Sequence, residues 1–513
     1  MKNKLLLAAC ILLFLGGCAD FNFEFNFNLS SITPTETSSN IKDTSSTTSI
    51  FGSYSTTPTP TLPVTTTPGP TGSKTDKLNI FFINDNHGRV VDESSNGFAR
   101  ISTALTKANS DYGEHLKIAN GDIFQGTYIS NSFYGKPLVE AMNYLSFDAF
   151  VIGNHEFDWG LDKIAAYKDG NLENGEASFT FLGANIVYKS TQKNPDWIEP
   201  YHITYNNNRK VGIIGVIGKL ENSINQAMLT DYTFLDPYQT ATKYISKLRT
   251  DMDCDSVIVA IHDYDTDNKN ITSQYGKLTG NNRVDALLCA HTHQRINTYY
   301  QRSDGTKMPI VQNGGDSSNS TSLRLKYNVD DVVQSYEVKQ YFTSDYAIDK
   351  NLHQAIIAYY EEINNQAKNR ILNKTSSKLT EEKLGKIATD AMVKKYDAFI
   401  GVMNTGGVRS TIPAGNITYQ QVYECFPFDN LIYTFNISGS TLLSFVNYAS
   451  SFMYYNTGFS SMKIDIGKTY KMAVIDYVFN STYYTSYFKN VNYTENEILR
   501  DVVVEYFETS YNK

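Results

Sequence analysis

The chain has 513 residues, 45 Lys and Arg against 53 Asp and Glu, a net charge of −8, and 5 cysteines. An acidic chain without a basic run lacks the clustered cations that a nucleic-acid backbone requires, so nucleic acid is not an expected partner. Beyond the N-terminal segment only Cys254, Cys289 and Cys425 remain, far apart and without CxxC spacing, which excludes a disulfide scaffold and a thiolate zinc site.

In chain order, MKNK followed by LLLAACILLFLGGC reads as a basic n-region, an apolar h-region and a small-residue cleavage site, too short for a comfortable membrane span. Leu15, Gly16 and Gly17 before Cys18 resemble a bacterial lipobox. That resemblance implies a signal peptide over residues 1–17, lipidation of Cys18, and an extracytoplasmic lipoprotein held to the membrane at the cell surface. Residues 18–76 read as a tether. From about Ser30 to Thr75 it is dominated by Ser, Thr and Pro, with few large apolar residues to offset the entropy of ordering. Phe21, Phe23, Phe25 and Phe27 alternate with polar residues and suggest a short extended segment.

Over residues 77–343, strand-like runs alternate with helical ones such as ARISTALTKANSDY and DPYQTATKYISKLRTDM, the pattern of an α/β layered domain. Five apolar runs, LNIFF, LKIA, FDAFVI, SVIVA and VDALLC, are each followed by a polar segment. Those segments carry Asp85 and His87, Asp122, Asn154 with His155 and Asp158, His262, and the pair His291 and His293. Loops beyond the carboxyl ends of strands converge on ligands in such sheets, so these nitrogen and oxygen donors can surround two cations. His115, His202 and His353 stand outside these segments and are read as satisfied or exposed imidazoles.

The D-x-H, GD, GNHEFDWG and H-x-H segments together resemble the calcineurin-like metallophosphoesterases, and within them the 5′-nucleotidase and UDP-sugar hydrolase family. The resemblance implies a β-sandwich domain flanked by helices, and a centre of two divalent metal ions. Asp85, His87, Asp122 and His293 would hold one ion; Asp122, Asn154, His262 and His291 would hold the other, with Asp122 as the bridge. Donors without thiolate suit Zn, Mn, Fe, Co or Ni. His155, oriented by Asp158, would stabilise the transition state or protonate the leaving group, and Arg89 would face the incoming phosphate. The implied activity is hydroxide attack on phosphorus, removing phosphate from extracellular nucleotides. A 2′,3′-cyclic nucleotide phosphodiesterase, a UDP-sugar hydrolase and a non-catalytic ligand-binding lipoprotein are the alternatives.

Residues 344–373 contain NLHQAIIAYYEEINNQAKNRIL, apolar at helical spacing, and are expected to form a linker helix. A smaller α/β domain for substrate recognition is expected over 374–513, with a helix around LGKIATDAMVKKY and strands at AFIGVMN and LIYTFNI. Its MNTGGVRS and FPFDN segments resemble the family's second hallmark, which carries Asn404 and Arg409 over as substrate contacts and Phe428 as one face of a base-stacking clamp. Three departures stand out. Thr380 lies near the place of a family arginine that Lys378 or Lys383 could replace. Asn480, Ser481 and Thr482 occupy a normally glycine-rich loop, with Tyr483, Tyr484 and Tyr487 as candidates for the second clamp face. Ala290 stands where relatives carry Gly.

Overall fold

The computed structural model describes residues 72–171, 175–265 and 270–511. The expected signal peptide, Cys18 and the tether as far as residue 71 lie outside the described residues. The last expected tether residues are fastened to the fold, since Lys74 Nζ lies 2.6 Å from both Asp255 and Asp331.

Two six-stranded sheets face each other. The first runs in the order Val333–Phe342, Asn319–Tyr327, Lys77–Ile83, Leu116–Asn120, Ala149–Val151, Thr180–Leu182. The second runs Ile296–Gln301, Lys307–Gln312, Ala286–Leu288, Ser256–His262, Arg209–Ile217, Tyr201–Asn206. Four neighbouring strands in each sheet are parallel, and parallel strands covered on both faces read as continuous apolar runs. KLNIFFI shows why. Leu78, Ile80 and Phe82 enter the layer between the sheets, where they meet Val211, Ile213 and Ile258. Phe81 and Ile83 point the other way, into a core shared with Phe98, Ile101 and Leu138 of the covering helices. Each such side chain contributes roughly 1.5–3 kcal/mol on burial.

Helix Phe98–Tyr112 matches the expected run, and Lys136–Tyr144 joins it over the first sheet. Pro237–Thr250 covers the second through Ala241, Ile245 and Leu248. Its start is fixed locally: Asp236 accepts a hydrogen bond from the Gln239 N–H at 2.9 Å, and Pro237 occupies the first turn, where its missing N–H costs nothing. The expected linker helix is present but broken into Lys350–Leu352, a π-helical turn His353–Ile357, and Ala358–Asn369. Beyond it, a five-stranded sheet in the order Met453–Tyr455, Ile400–Asn404, Thr469–Ile475, Leu431–Ser438, Tyr493–Ile498 packs against helices Glu381–Tyr396 and Leu499–Thr509.

This second sheet system is drawn onto the sandwich by polar contacts at two places. Asn131 Nδ2 donates to the Pro427 carbonyl at 3.0 Å, and Gln420 Nε2 donates to both carboxylate oxygens of Glu93. Asn225 Nδ2 donates to Asp476 at 2.8 Å, while Tyr477 and Thr482 donate to the carbonyl and side-chain oxygens of Asn222. A cleft lies between these contacts.

Candidate metal centre and substrate cleft

Every expected donor lies at the carboxyl end of a parallel strand. Asp85 and His87 follow Lys77–Ile83, Asp122 follows Leu116–Asn120, Asn154 and His155 follow Ala149–Val151, His262 ends Ser256–His262, and His291 and His293 follow Ala286–Leu288. Because both sheets direct these ends the same way, five loops meet. They are tied to one another by backbone bonds from Asp85 N to Gly121 O and from His87 N to Asp122 O, both at 3.0 Å, and from Asp316 N to Asp85 O at 2.7 Å.

Two groups of donors result, Asp85 with His87 and His293, and Asp122 with His262 and His291. Within each group the donor atoms lie within 4.8 Å of one another. His262 Nδ1 faces the Asn120 carbonyl at 2.8 Å and His87 Nδ1 faces the Gln125 carbonyl at 3.2 Å, which fixes both rings with Nε2 toward the centre. His87 Nε2 lies 3.0 Å from His293 Nε2. Nε2 of His262 has only the Asp122 carboxylate beside it, at 3.1 Å, and Oδ1 of Asn154 is buried without a hydrogen-bond partner. Orphaned donor-set atoms of this kind, beside two buried carboxylates, are what a pair of divalent cations would complete; the residues fit the implied metals.

The electrostatics agree with this crowding. Burial pushes the Asp85 carboxyl up to about 6, and burial with the nearby Arg409 holds the His87 imidazole well below its usual value, in the neutral form that a ligand needs. Burial alone would raise Asp122, but His262 and His155 hold its carboxyl well below the ordinary range. His155 Nδ1 lies 2.8 Å from Asp158 Oδ2, and its backbone N–H donates to Asp122 Oδ1 at 2.8 Å. Burial works against a charged His155 ring, and Asp158 and Asp122 outweigh it.

Three features were not anticipated. Asp85, His87, Asp122, His291 and His293 all have positive φ, from 49° to 74°, a region that costs a non-glycine residue of order 1–3 kcal/mol. Ala290 is not among the positive-φ residues, so the methyl in place of glycine strains nothing. Glu156 is the second. Its carboxylate accepts from the N–H groups of Asp122, Ile123 and Gly153 at 2.8–3.0 Å, binding the second and third loops together; the acidic residue after Asn154 and His155 in GNHE was the available signal. Third, Gly121 has φ 78°, and a Cβ there would collide with the His262 ring. That glycine is required by close approach as well as by conformation.

A cleft of about 590 Å³ opens over the centre, lined by His87, Asp122, His155, His291, His293, Arg89, Glu381 and Arg409. An adjoining cavity of about 300 Å³ is lined by Asn154, His155, Asp158, Asn404, Arg409, Phe428, Asp476 and Tyr477. Arg409 borders both, and the Asn404 Oδ1 is buried without a partner. Phe428 lies against His155, with ring centroids 5.7 Å apart and 23° between planes.

Arg89 lines the cleft and donates through Nε and Nη2 to the Asp316 carboxylate at 3.2 Å. Lys378 and Lys383 do not line the cleft. Thr380 caps the helix Glu381–Tyr396, accepting from the Lys383 N–H, and Glu381 is the residue of that segment that faces the opening. The second aromatic beside Phe428 is Tyr477, not Tyr483, Tyr484 or Tyr487. Tyr483 is exposed and meets Asn222 through its hydroxyl, while Tyr484 and Tyr487 pack on Phe445. His115, His202 and His353 are satisfied by Asn109 and Ser322, by Thr180, and by Glu361.

Comparisons with known proteins point the same way. The calcineurin-like phosphoesterase family matches residues 78–295, and the 5′-nucleotidase C-terminal domain family matches residues 362–466. The chain is 25% identical over 429 residues to a 5′-nucleotidase of Vibrio cholerae, covering 73% of this chain and 76% of that protein. It is 26% identical over 430 residues to an apyrase of Tabanus yao, covering 72% and 73%. The structure of a 5′-nucleotidase precursor from Thermus thermophilus superposes with a TM-score of 0.72 at 20% identity, covering 84% of this chain and 96% of that one.

Proposed function

We propose, from the premise that this chain is a calcineurin-like phosphoesterase carrying a 5′-nucleotidase C-terminal domain, that it removes phosphate from nucleotides outside the cytoplasm and is held there by lipidated Cys18. The observation that supports this reading best is the juxtaposition of two donor groups with a cavity bearing Phe428, Tyr477, Asn404 and Arg409. Two divalent ions, of the Zn, Mn, Fe, Co or Ni kind, would be held by Asp85, His87 and His293 and by Asn154, His262 and His291, with Asp122 between them. When bound, such ions supply a nucleophile at neutral pH and positive charge for the phosphoryl oxygens.

The chain's own residues divide the remaining work. Arg409 provides a planar, charged donor at the border of cleft and cavity, suited to a phosphate. His155, whose protonated form Asp158 favours, would place a proton beside the leaving oxygen. Phe428 and Tyr477 offer aromatic faces to the base. Asp158 keeps the His155 ring in one orientation.

The test is a substrate panel on the protein without its N-terminal segment: AMP, UMP, UDP-glucose, 2′,3′-cyclic AMP and bis(p-nitrophenyl) phosphate, each with and without a chelator. Nucleoside monophosphates are expected to give the highest kcat/KM, with all activity lost to the chelator and restored by added Mn or Zn. Phe428→Ala is expected to weaken nucleotides by about 1–3 kcal/mol, the scale of base–aromatic stacking, and to leave the base-free diester nearly unaffected. An equal loss on both substrate types makes the ring structural, and the nucleotide reading falls.

A further inference from the structure

The cavity beside the centre has a polar end for which phosphate chemistry has no use. Asp476 sits there, 6% exposed, at the start of the short helix Asp476–Asn480. Its Oδ2 accepts from Asn225 Nδ2 at 2.8 Å, its Oδ1 accepts from the Tyr477 N–H at 2.8 Å, and the backbone of Leu431 also donates to it. No lysine, arginine or histidine among the described residues pairs with it. Burial pushes its carboxyl up to about 6, and the three N–H groups directed at it use it as an acceptor.

An ionised carboxylate offers about four lone-pair sites, and a buried one without a cation is stable only when those sites are used. Three protein donors leave one site open toward the cavity. Asn225 fixes the direction of that opening, because its Oδ1 accepts from the Ala227 N–H at 3.2 Å, which commits its Nδ2 to Asp476. The carboxylate therefore stands beside Tyr477, in the cavity that Phe428 also lines, and has room for one more N–H.

We propose that Asp476, oriented by Asn225, reads the edge of the nucleobase held beside Phe428 and Tyr477, accepting from an exocyclic amino group and so selecting adenine and cytosine over hypoxanthine and uracil. This rests on the nucleotide reading above. An amino group supplies the missing donor; a carbonyl at the same position sets two acceptors against each other. Sites built to hydrogen-bond one substrate group reject the analogue without it far more strongly than apolar pockets discriminate shape, and carboxylates accept from base amino groups in known readout.

The experiment is kcat/KM for two matched pairs, AMP against IMP and CMP against UMP, on the metal-loaded wild type and on Asp476→Ser and Asn225→Ala. The wild type is expected to favour the amino member of each pair by about tenfold, the lower range of a base-edge hydrogen bond. Asp476→Ser is expected to bring both ratios near unity, and Asn225→Ala to lower them part of the way. Each ratio is internal to one preparation, so partial misfolding of a variant does not alter it, and the wild-type ratios test the proposal without any variant. Hydrolysis of all four nucleotides at equal kcat/KM overturns the proposal and leaves the nucleotide reading standing. Absence of hydrolysis for every nucleotide, with the base-free diester still cleaved, overturns both.

Discussion

Asp122→Ala is expected to lower turnover by more than about 100-fold, beyond the range of residues that only support a metal ligand, together with the loss of bound divalent metal. Asp122 is the carboxylate of the second donor group, and its charge acts on Asp85 and His87 of the first. Its Oδ1 accepts from the His155 N–H and its Oδ2 lies 3.1 Å from His262 Nε2. Without it, His155 loses a positioning contact, the second group loses its only carboxylate, and the centre loses one of two buried negative charges. Steady-state kinetics with metal analysis of the purified variant checks this. More than about a tenth of wild-type turnover, with metal retained, removes Asp122 from the reaction.

The second large effect is expected at His155. His155→Asn should leave metal content near that of the wild type and lower kcat by about 10²–10⁴, the span typical of a residue that moves a proton in the transition state. The ring belongs to neither donor group, its Nδ1 is held by Asp158, and its other nitrogen remains for the cleft. Parallel loss of metal and rate would make His155 a ligand instead. Asp158→Asn is the companion measurement: it keeps the contact but removes the charge, and a smaller loss than in His155→Asn is expected.

The metal-binding half was legible because each donor sits in a short polar segment directly after an apolar strand, and two periodicities, one for strands and one for covering helices, are visible in KLNIFFI and in the run from Phe98 to Tyr112. The substrate half was harder to read. After Ile475, Tyr477, Tyr483, Tyr484 and Tyr487 follow one another closely, and the family resemblance, which places the aromatic after the loop at Asn480, Ser481 and Thr482, pointed to the later tyrosines. The deciding fact is geometric: strand Thr469–Ile475 passes straight into helix Asp476–Asn480, so the first tyrosine is the one carried to the cavity. The engagement of Arg89 by Asp316 and the hold of Gln420 on Glu93 join residues 227 and 327 positions apart. No local pattern encodes such pairs. The break in the linker helix likewise leaves no mark in its apolar spacing.

The place of Lys77–Ile83 in its sheet has a consequence for how the chain is made. It is an interior strand, bounded on one side by Leu116–Asn120 and on the other by Asn319–Tyr327. Asn84, at its end, exchanges hydrogen bonds with Asn313, 229 residues later. At about 5–20 residues per second of synthesis, the first strand waits for tens of seconds with one edge open and both faces apolar, a state prone to mispairing with other chains. His87 meets His293, 206 residues later, so the centre cannot close before the last donor loop of the second sheet has been made.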